Sequence, residues 1–313
     1  LSLARDRVGD TEFLSAIYPA LKENMRGWEK EHRDDPDGLF WQTDNAEGQE
    51  CSIAGAECSE KGSAAFKDYR FFSARGLRPG FNAHMYAEYD ALAKIAATLG
   101  AKGEAAEYAG KAARLKELIN TRLWNDAAKF YMTRSGEPGE KMTDVRELSG
   151  YVPWLFGVAP ESAKEAWKQL TNEQGFKAPF GPTTAERRHP MFRVTRKGHE
   201  CQWAGASWPF LTGSTLVALA NHLRESPAPA LSKADYYDLL STYVRTHAIT
   251  WGSGKTSMWI DESADPFTGE WITRAQLINW DQKGWWRSIR ERGKDYNRSE
   301  ERRVGKECRS RWS

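Results

Sequence analysis

Three acidic stretches flanked by tryptophan hold the residue types most able to do chemistry. Trp41 to Gly55 reads WQTDNAEGQECSIAG and contains Asp44, Glu47 and Glu50, with Phe40 just ahead of it. Gly198 to Phe210 reads GHECQWAGASWPF and sets Trp203 and Trp208 five apart beside Glu200 and Gln202. Trp259 to Trp271 reads WIDESADPFTGEW, with Asp261, Glu262, Asp265 and Glu270 between two tryptophans. None of the three carries a helical or strand period, so each reads as a loop. Aromatic faces stack on sugar rings while carboxyl groups handle hydroxyls and the glycosidic oxygen. Cleaving that bond needs one protonated acid and one ionised carboxylate on opposite sides of it. The plain alternative is a set of solvated turns and core tryptophans.

Other chemistries are less well provided for. The third stretch lacks the alternation of an EF-hand loop. Cys51 and Cys58 are seven apart and complete no zinc pattern with Cys201 or any histidine. A disulfide between those two and a pair of buried thiols both remain open. His84, His189 and His199 lie near the loops without ligand spacing and read as hydrogen-bonding or surface residues. No metal and no cofactor is expected.

The 313 residues are 40% hydrophobic and 28% charged, ordinary for a globular protein; 14 tryptophans are not, and point to an aromatic core or a ring-lined groove. No apolar run is long enough for a membrane helix. The chain opens at Leu1 with a helix due by Thr11, which reads as a trimmed domain and leaves the compartment open, with a periplasmic or secreted location slightly preferred. Residues 298–313 (RSEERRVGKECRSRWS) have no apolar period, and their first eleven resemble a translated sequencing-library adapter. They are expected to be a non-native, disordered tail. The formal charge of +2 owes a surplus of three to that tail, leaving −1 over residues 1–297. No nucleic-acid or membrane partner follows from it.

Helices must position the loops. Apolar spacing predicts helices over Glu12–Glu31, with a kink at Pro19, and over Phe81–Leu99 and Glu104–Trp124, the last two forming an αα-hairpin around Gly100–Gly103. Further helices are predicted over Thr143–Phe156, Glu161–Leu170, Ser207–Leu223, Lys233–His247 and Thr273–Arg290. Ser207–Leu223 is almost wholly apolar and is expected to be buried on most sides. No strand pattern of any length competes, so the class is all-α. Long loops in a helical protein are commonly functional.

Four motifs then carry a resemblance. They are EGQECS around Glu50, the Asn82–Ala83 pair in RPGFNAHMYAE, the Trp203-x-Gly205-x-x-Trp208 loop, and Glu262 followed by DPFTG at Asp265–Gly269. Together they make residues 12–297 similar to the six-hairpin, (α/α)6-barrel glycoside hydrolases, specifically the mannosylglycerate-hydrolase-like domain group, which is related to trehalases and processing α-glucosidases. RELSGYVPW, with Glu147, Tyr151 and Trp154, resembles that group too. The resemblance implies Glu50 as general acid, where trehalase-type relatives carry Asp, with Asp44 in reserve. It implies Glu262 as general base, and an inverting reaction. Trp41, Asp44, Asn82, Glu147, Gln202, Trp203 and Trp208 would contact substrate, an oligosaccharide or small glycoside. Burial against tryptophan is expected to raise the acid's pKa.

The pattern supplies seven or eight helices, fewer than six full hairpins need. The expected fold is therefore a partial (α/α)6 barrel over residues 1–297, lacking helices before Leu1 and after Asn297, with apolar helix faces exposed and prone to aggregation. The expected activity is an exo-acting, inverting glycosidase. A sugar isomerase or epimerase on the same barrel class, using histidine as proton shuttle, is the first alternative; a non-catalytic carbohydrate-binding module is the second. Mannosylglycerate, α-glucosides and arabinofuranosides or other plant-glycan sugars all stay open as substrates.

Overall fold

The computed structural model describes residues 11–33, 38–59, 74–135, 141–194, 202–250 and 256–272. The predicted helix Thr273–Arg290, His199, Glu200, Cys201 and the tail lie outside the described residues.

Helix α1 (Thr11–His32) continues through Pro19. Strand β1 (Trp41–Thr43) and the six-residue helix α2 (Ile53–Cys58) bracket the first acidic loop, so that stretch is less irregular than its sequence suggests. Strand β2 (Arg75–Leu77) leads into α3 (Pro79–Thr98), which returns as α4 (Lys102–Arg122). Pro79 suits the first turn of α3, where its missing N–H leaves no bond unmade. At the other end Gly100 has φ +76, the Ala101 N–H reaches the Ala96 carbonyl at 2.9 Å, and the Gly100 N–H reaches Ala97. That is a Schellman stop, and it sets the sharp turn of the hairpin. Leu92 and Ile95 of α3 and Leu115 and Ile119 of α4 are all at most 3% exposed. Each such side chain contributes about 1.5–3 kcal/mol on leaving water.

Beyond the hairpin come β3 (Trp124–Asn125), β4 (Phe130–Tyr131) and β5 (Arg134–Ser135). The predicted helix Thr143–Phe156 shrinks to a 3-10 turn, Leu148–Tyr151, and the single turn α5 (Val152–Leu155). The reason is in the backbone bonding. The N–H of Thr143 goes to Thr133 and that of Leu148 to Thr184, so these residues are committed to neighbouring loops. Glu161–Trp167 is likewise 3-10, followed by α6 (Lys168–Thr171). Trp167 stacks on Tyr151 with centroids 4.3 Å apart, and both rings are fully buried.

Helix α7 (Pro209–Glu225) is buried on most sides, with Leu211, Thr215, Leu216, Ala218 and Leu219 enclosed, and it leaves one exposed stripe that carries Phe210 at 68% and Val217 at 51%. Helix α8 (Lys233–Thr246) starts with a Ser232/Asp235 capping box. Strands β6 (Ala248–Thr250) and β7 (Thr256–Met258) follow. The strands form three small antiparallel sheets, one of them ordered β1-β2-β5. At two or three residues each, they are too short for alternation to register in the sequence. Among the described residues no helix is long and apolar enough to cross a membrane.

Candidate active site

The three acidic loops meet through their main chains. The Trp203 N–H donates to the Glu50 carbonyl at 3.2 Å, tying the second loop to the first. Four residues on, Ser207 and Ala264 exchange two N–H···O=C bonds of 2.9 Å, tying the second loop to the third. Thr184 braces this hub from behind, accepting from the Gly205 N–H and donating to the Ala206 carbonyl through its hydroxyl. Close approach explains the small residues here. A Cβ on Gly205 would stand 2.5 Å from the Arg193 carbonyl oxygen. Glu50 and Glu262 thus lie on loops that are tied together through their backbones, and both are half-buried.

Beneath Glu50 the loop is anchored by buried charge. Asp44 is 1% exposed and lies so close to α2 that a Cβ on Gly55 would meet its Oδ2 at 2.6 Å. Glu47 pairs with Arg78 at 3.3 Å, and Arg78 is 2% exposed. Glu147 accepts the Ala54 N–H at 2.9 Å in the first turn of α2, where Ser52 already caps Gly55. One guanidinium therefore faces three carboxyl groups, Glu47, Asp44 and Glu147; burial works against its charge, and those three acids keep it protonated. Burial pushes Asp44 up to about 6 against the pull of Arg78, with the nearby Glu50 adding to the rise. Burial likewise pushes Glu147 up to about 7, against Arg78 and the Ala54 N–H.

Those two acids have the pKa of a proton donor but not its access. Geometry precedes pKa in choosing a catalytic group, and Asp44 and Glu147 are enclosed while Glu50 and Glu262 are half-exposed. Asn82 is fully enclosed as well. Its amide donates to the Phe40 and Arg78 carbonyls and accepts the Phe40 N–H, a tie between β1 and α3. Trp41 carries the Arg75 guanidinium over its ring at 4.1 Å and His32 at 4.6 Å. Trp203 and Trp208 stack on each other at 3.9 Å, at most 6% exposed, and the Trp208 indole N–H donates to the Gln202 carbonyl. Gln202 is buried beside them. Cys51 and Cys58 are both buried and are not joined to each other by a disulfide, and burial pushes the Cys58 thiol up to about 12.

Arg78 was not foreseen from the sequence, although a signal exists. A cation at the N-terminus of a helix meets the positive end of its dipole, so an arginine immediately before Pro79 implies an acidic partner close by. Beside the loop opens a cavity of about 320 Å³ between α1, α3, α5 and α7, bordered by Gln49, next in chain to Glu50.

A family comparison completes the picture. Residues 2–299 match the mannosylglycerate hydrolase MGH1-like glycoside hydrolase domain. The chain belongs to that family. Among solved structures, this MGH1-like domain resembles a sialidase with a TM-score of 0.73 and 34% identity, over 85% of this chain and 22% of the sialidase chain. It resembles the GH63 mannosylglycerate hydrolase from Thermus thermophilus in complex with Tris with a TM-score of 0.64 and 17% identity, over 86% of this chain and 69% of that one. The same enzyme in complex with glucose gives 0.61 and 18%, over 89% and 70%. The MGH1-like domain thus has the helical-hairpin architecture of the (α/α)6-barrel glycosidases, and it spans about a fifth of the length of the sialidase chain. Comparison with curated proteins returns no match.

Proposed function

We propose that this domain hydrolyses a glycosidic bond, with Glu50 donating a proton to the leaving oxygen and Glu262 activating water. The observation that carries the reading is the main-chain relay from Glu50 to Trp203 and from Ser207 to Ala264, two residues beyond Glu262. Two half-buried carboxyl groups on neighbouring loops suit acid and base on either side of a glycosidic oxygen. Gln202 and the Trp203–Trp208 stack lie between them in the chain of contacts and are the natural floor. Their burial supports a part in shaping the site. The reaction is inverting and exo-acting in this reading, with the two carboxyls roughly 6.5–9.5 Å apart and a water between them. Mannosylglycerate and sialosides, by likeness to the two named structures, stand beside neutral glycosides as candidate substrates.

Glu50→Gln and Glu262→Gln are expected to lower kcat by about 10²–10⁴ with the thermal midpoint unchanged. Substrate binding should survive both, which separates a hydrolase from a binding module. Proton NMR of the first product formed should show the anomer opposite to the substrate. Full activity in either variant removes that residue from the mechanism, and retention of configuration removes the inverting assignment.

A further inference from the structure

The cavity bordered by Gln49 has walls of a particular chemistry. Three aromatic rings from three helices border it: Trp28 of α1, Phe81 of α3 and Phe210 of α7. Phe210 is 68% exposed, and Trp28 meets Phe81 edge-on at 5.5 Å. Gln42 and Gln49 supply amides from the loop, and the volume, about 320 Å³, has room for a sugar ring.

The charge in the wall is of one sign. Glu47 and Glu88 both border the cavity, and no lysine or arginine does among the described residues. The nearest guanidinium, Arg78, is buried and outnumbered by Asp44, Glu47 and Glu147. A helix N-terminus ordinarily welcomes an anion, but Glu47 already occupies the start of α3. Its Oε1 lies 3.6 Å from where a Cβ of Gly80 would be. The one basic ring in the wall, His84, is held below its usual value by desolvation, its ring edge-on to Phe156 at 4.9 Å. Nothing among the described wall residues would neutralise a carboxylate brought in by a ligand, and two carboxyl groups would repel it.

We propose that this cavity binds an uncharged sugar ring and excludes rings bearing a carboxylate, so that the domain's substrate is a neutral glycoside rather than a sialoside, a uronide or mannosylglycerate. The proposal rests on the hydrolase reading for what happens next to the bound ring, but its own test reads binding.

The experiment uses the full chain carrying Glu50→Gln, titrated calorimetrically with methyl glycosides of neutral hexoses and pentoses. The matching C6 uronates, methyl sialoside and mannosylglycerate are run alongside. At least one neutral glycoside is expected to bind, and its uronate to bind at least tenfold more weakly. Phe210→Ala, at an exposed position that tolerates truncation, should weaken the neutral ligand several-fold. Glu88→Lys should narrow the neutral-to-uronate ratio by about tenfold. An acidic ligand binding as well as the neutral one, no neutral ligand binding at millimolar concentration, or a ratio indifferent to Glu88→Lys overturns the proposal. If the preference holds and the unmodified chain cleaves no neutral glycoside, the hydrolase reading falls alone. If it cleaves an acidic glycoside, hydrolysis stands and this inference falls.

Discussion

Arg78 and the three carboxyl groups around it form a costly arrangement. Removing charges from water is expensive, and one cation cannot compensate three anions. The molecule resolves this by keeping protons. Asp44 holds its proton to about pH 6 and Glu147 to about pH 7 in the folded chain, against about 3.9 and 4.3 for an unfolded Asp and Glu. Between those limits the folded state binds more protons, so these two groups make stability fall as pH rises from about 4 to 7. His84, His222 and His247, all held low by desolvation, act in the opposite sense, gaining stability as pH rises toward the ordinary histidine value. A variant isolates the acid effect. Glu147→Gln keeps an oxygen for the Ala54 N–H and should gain on the parent by roughly 3 kcal/mol between pH 4.5 and 7.5, read from urea unfolding at each pH. A constant difference across that range would remove Glu147 from the proton balance. The acids themselves were plain in the sequence. Which of them would be enclosed was not, because burial depends on Arg78 and Gly55, whose part emerges only when distant segments meet.

At the scale of elements, the span from Asp44 to Gly55 is held as a closed loop by the contact between its two ends. Gly55→Ala would place a Cβ 2.6 Å from Asp44 Oδ2 and 2.9 Å from its Cβ, and a buried Asp44 has nowhere to rotate. Overpacking of this kind costs about 1–3 kcal/mol, and because Glu50 lies within the span, kcat should fall as well. Gly103→Ala in α4, where a Cβ meets nothing within 4 Å, is the control and should be neutral or stabilising by up to about 1 kcal/mol. Thermal melts and initial rates on both variants check this, and equal behaviour would disconnect the Gly55 contact from the loop. The hairpin α3–α4 was legible because some twenty residues of apolar spacing on each side leave little choice of period. The segment around Glu147 was not, since its apolar residues repeat at helical spacing while its N–H groups bond to other loops. Hydrogen bonds made at long range leave no local pattern to read.

Across the whole molecule, the helical class and the hairpin architecture agree with the sequence reading, while the small sheets are additions that serve to pin loops. The expectation of exposed apolar helix faces is met on α7 and α8, where Phe210, Val217, Tyr237 and Val244 are each at least 50% exposed. Such a patch favours self-association. Val217→Glu, at a position that does not itself border the cavity, should lower light scattering and the sedimentation-derived mass at high concentration. Unaltered scattering would place the sticky surface elsewhere.

The relay of main-chain bonds through the Trp203–Ser207 loop has a further consequence. Because the register of the Glu50 loop and the Glu262 loop is written in peptide groups, it survives any change of side chain that still lets the backbone close up there. The cavity wall is under no such constraint: Phe210 and Glu88 stand on helix surfaces and face open space. Descendants of this domain can therefore change diet one wall residue at a time without disturbing the spacing of Glu50 and Glu262, and reactivity and appetite can drift apart.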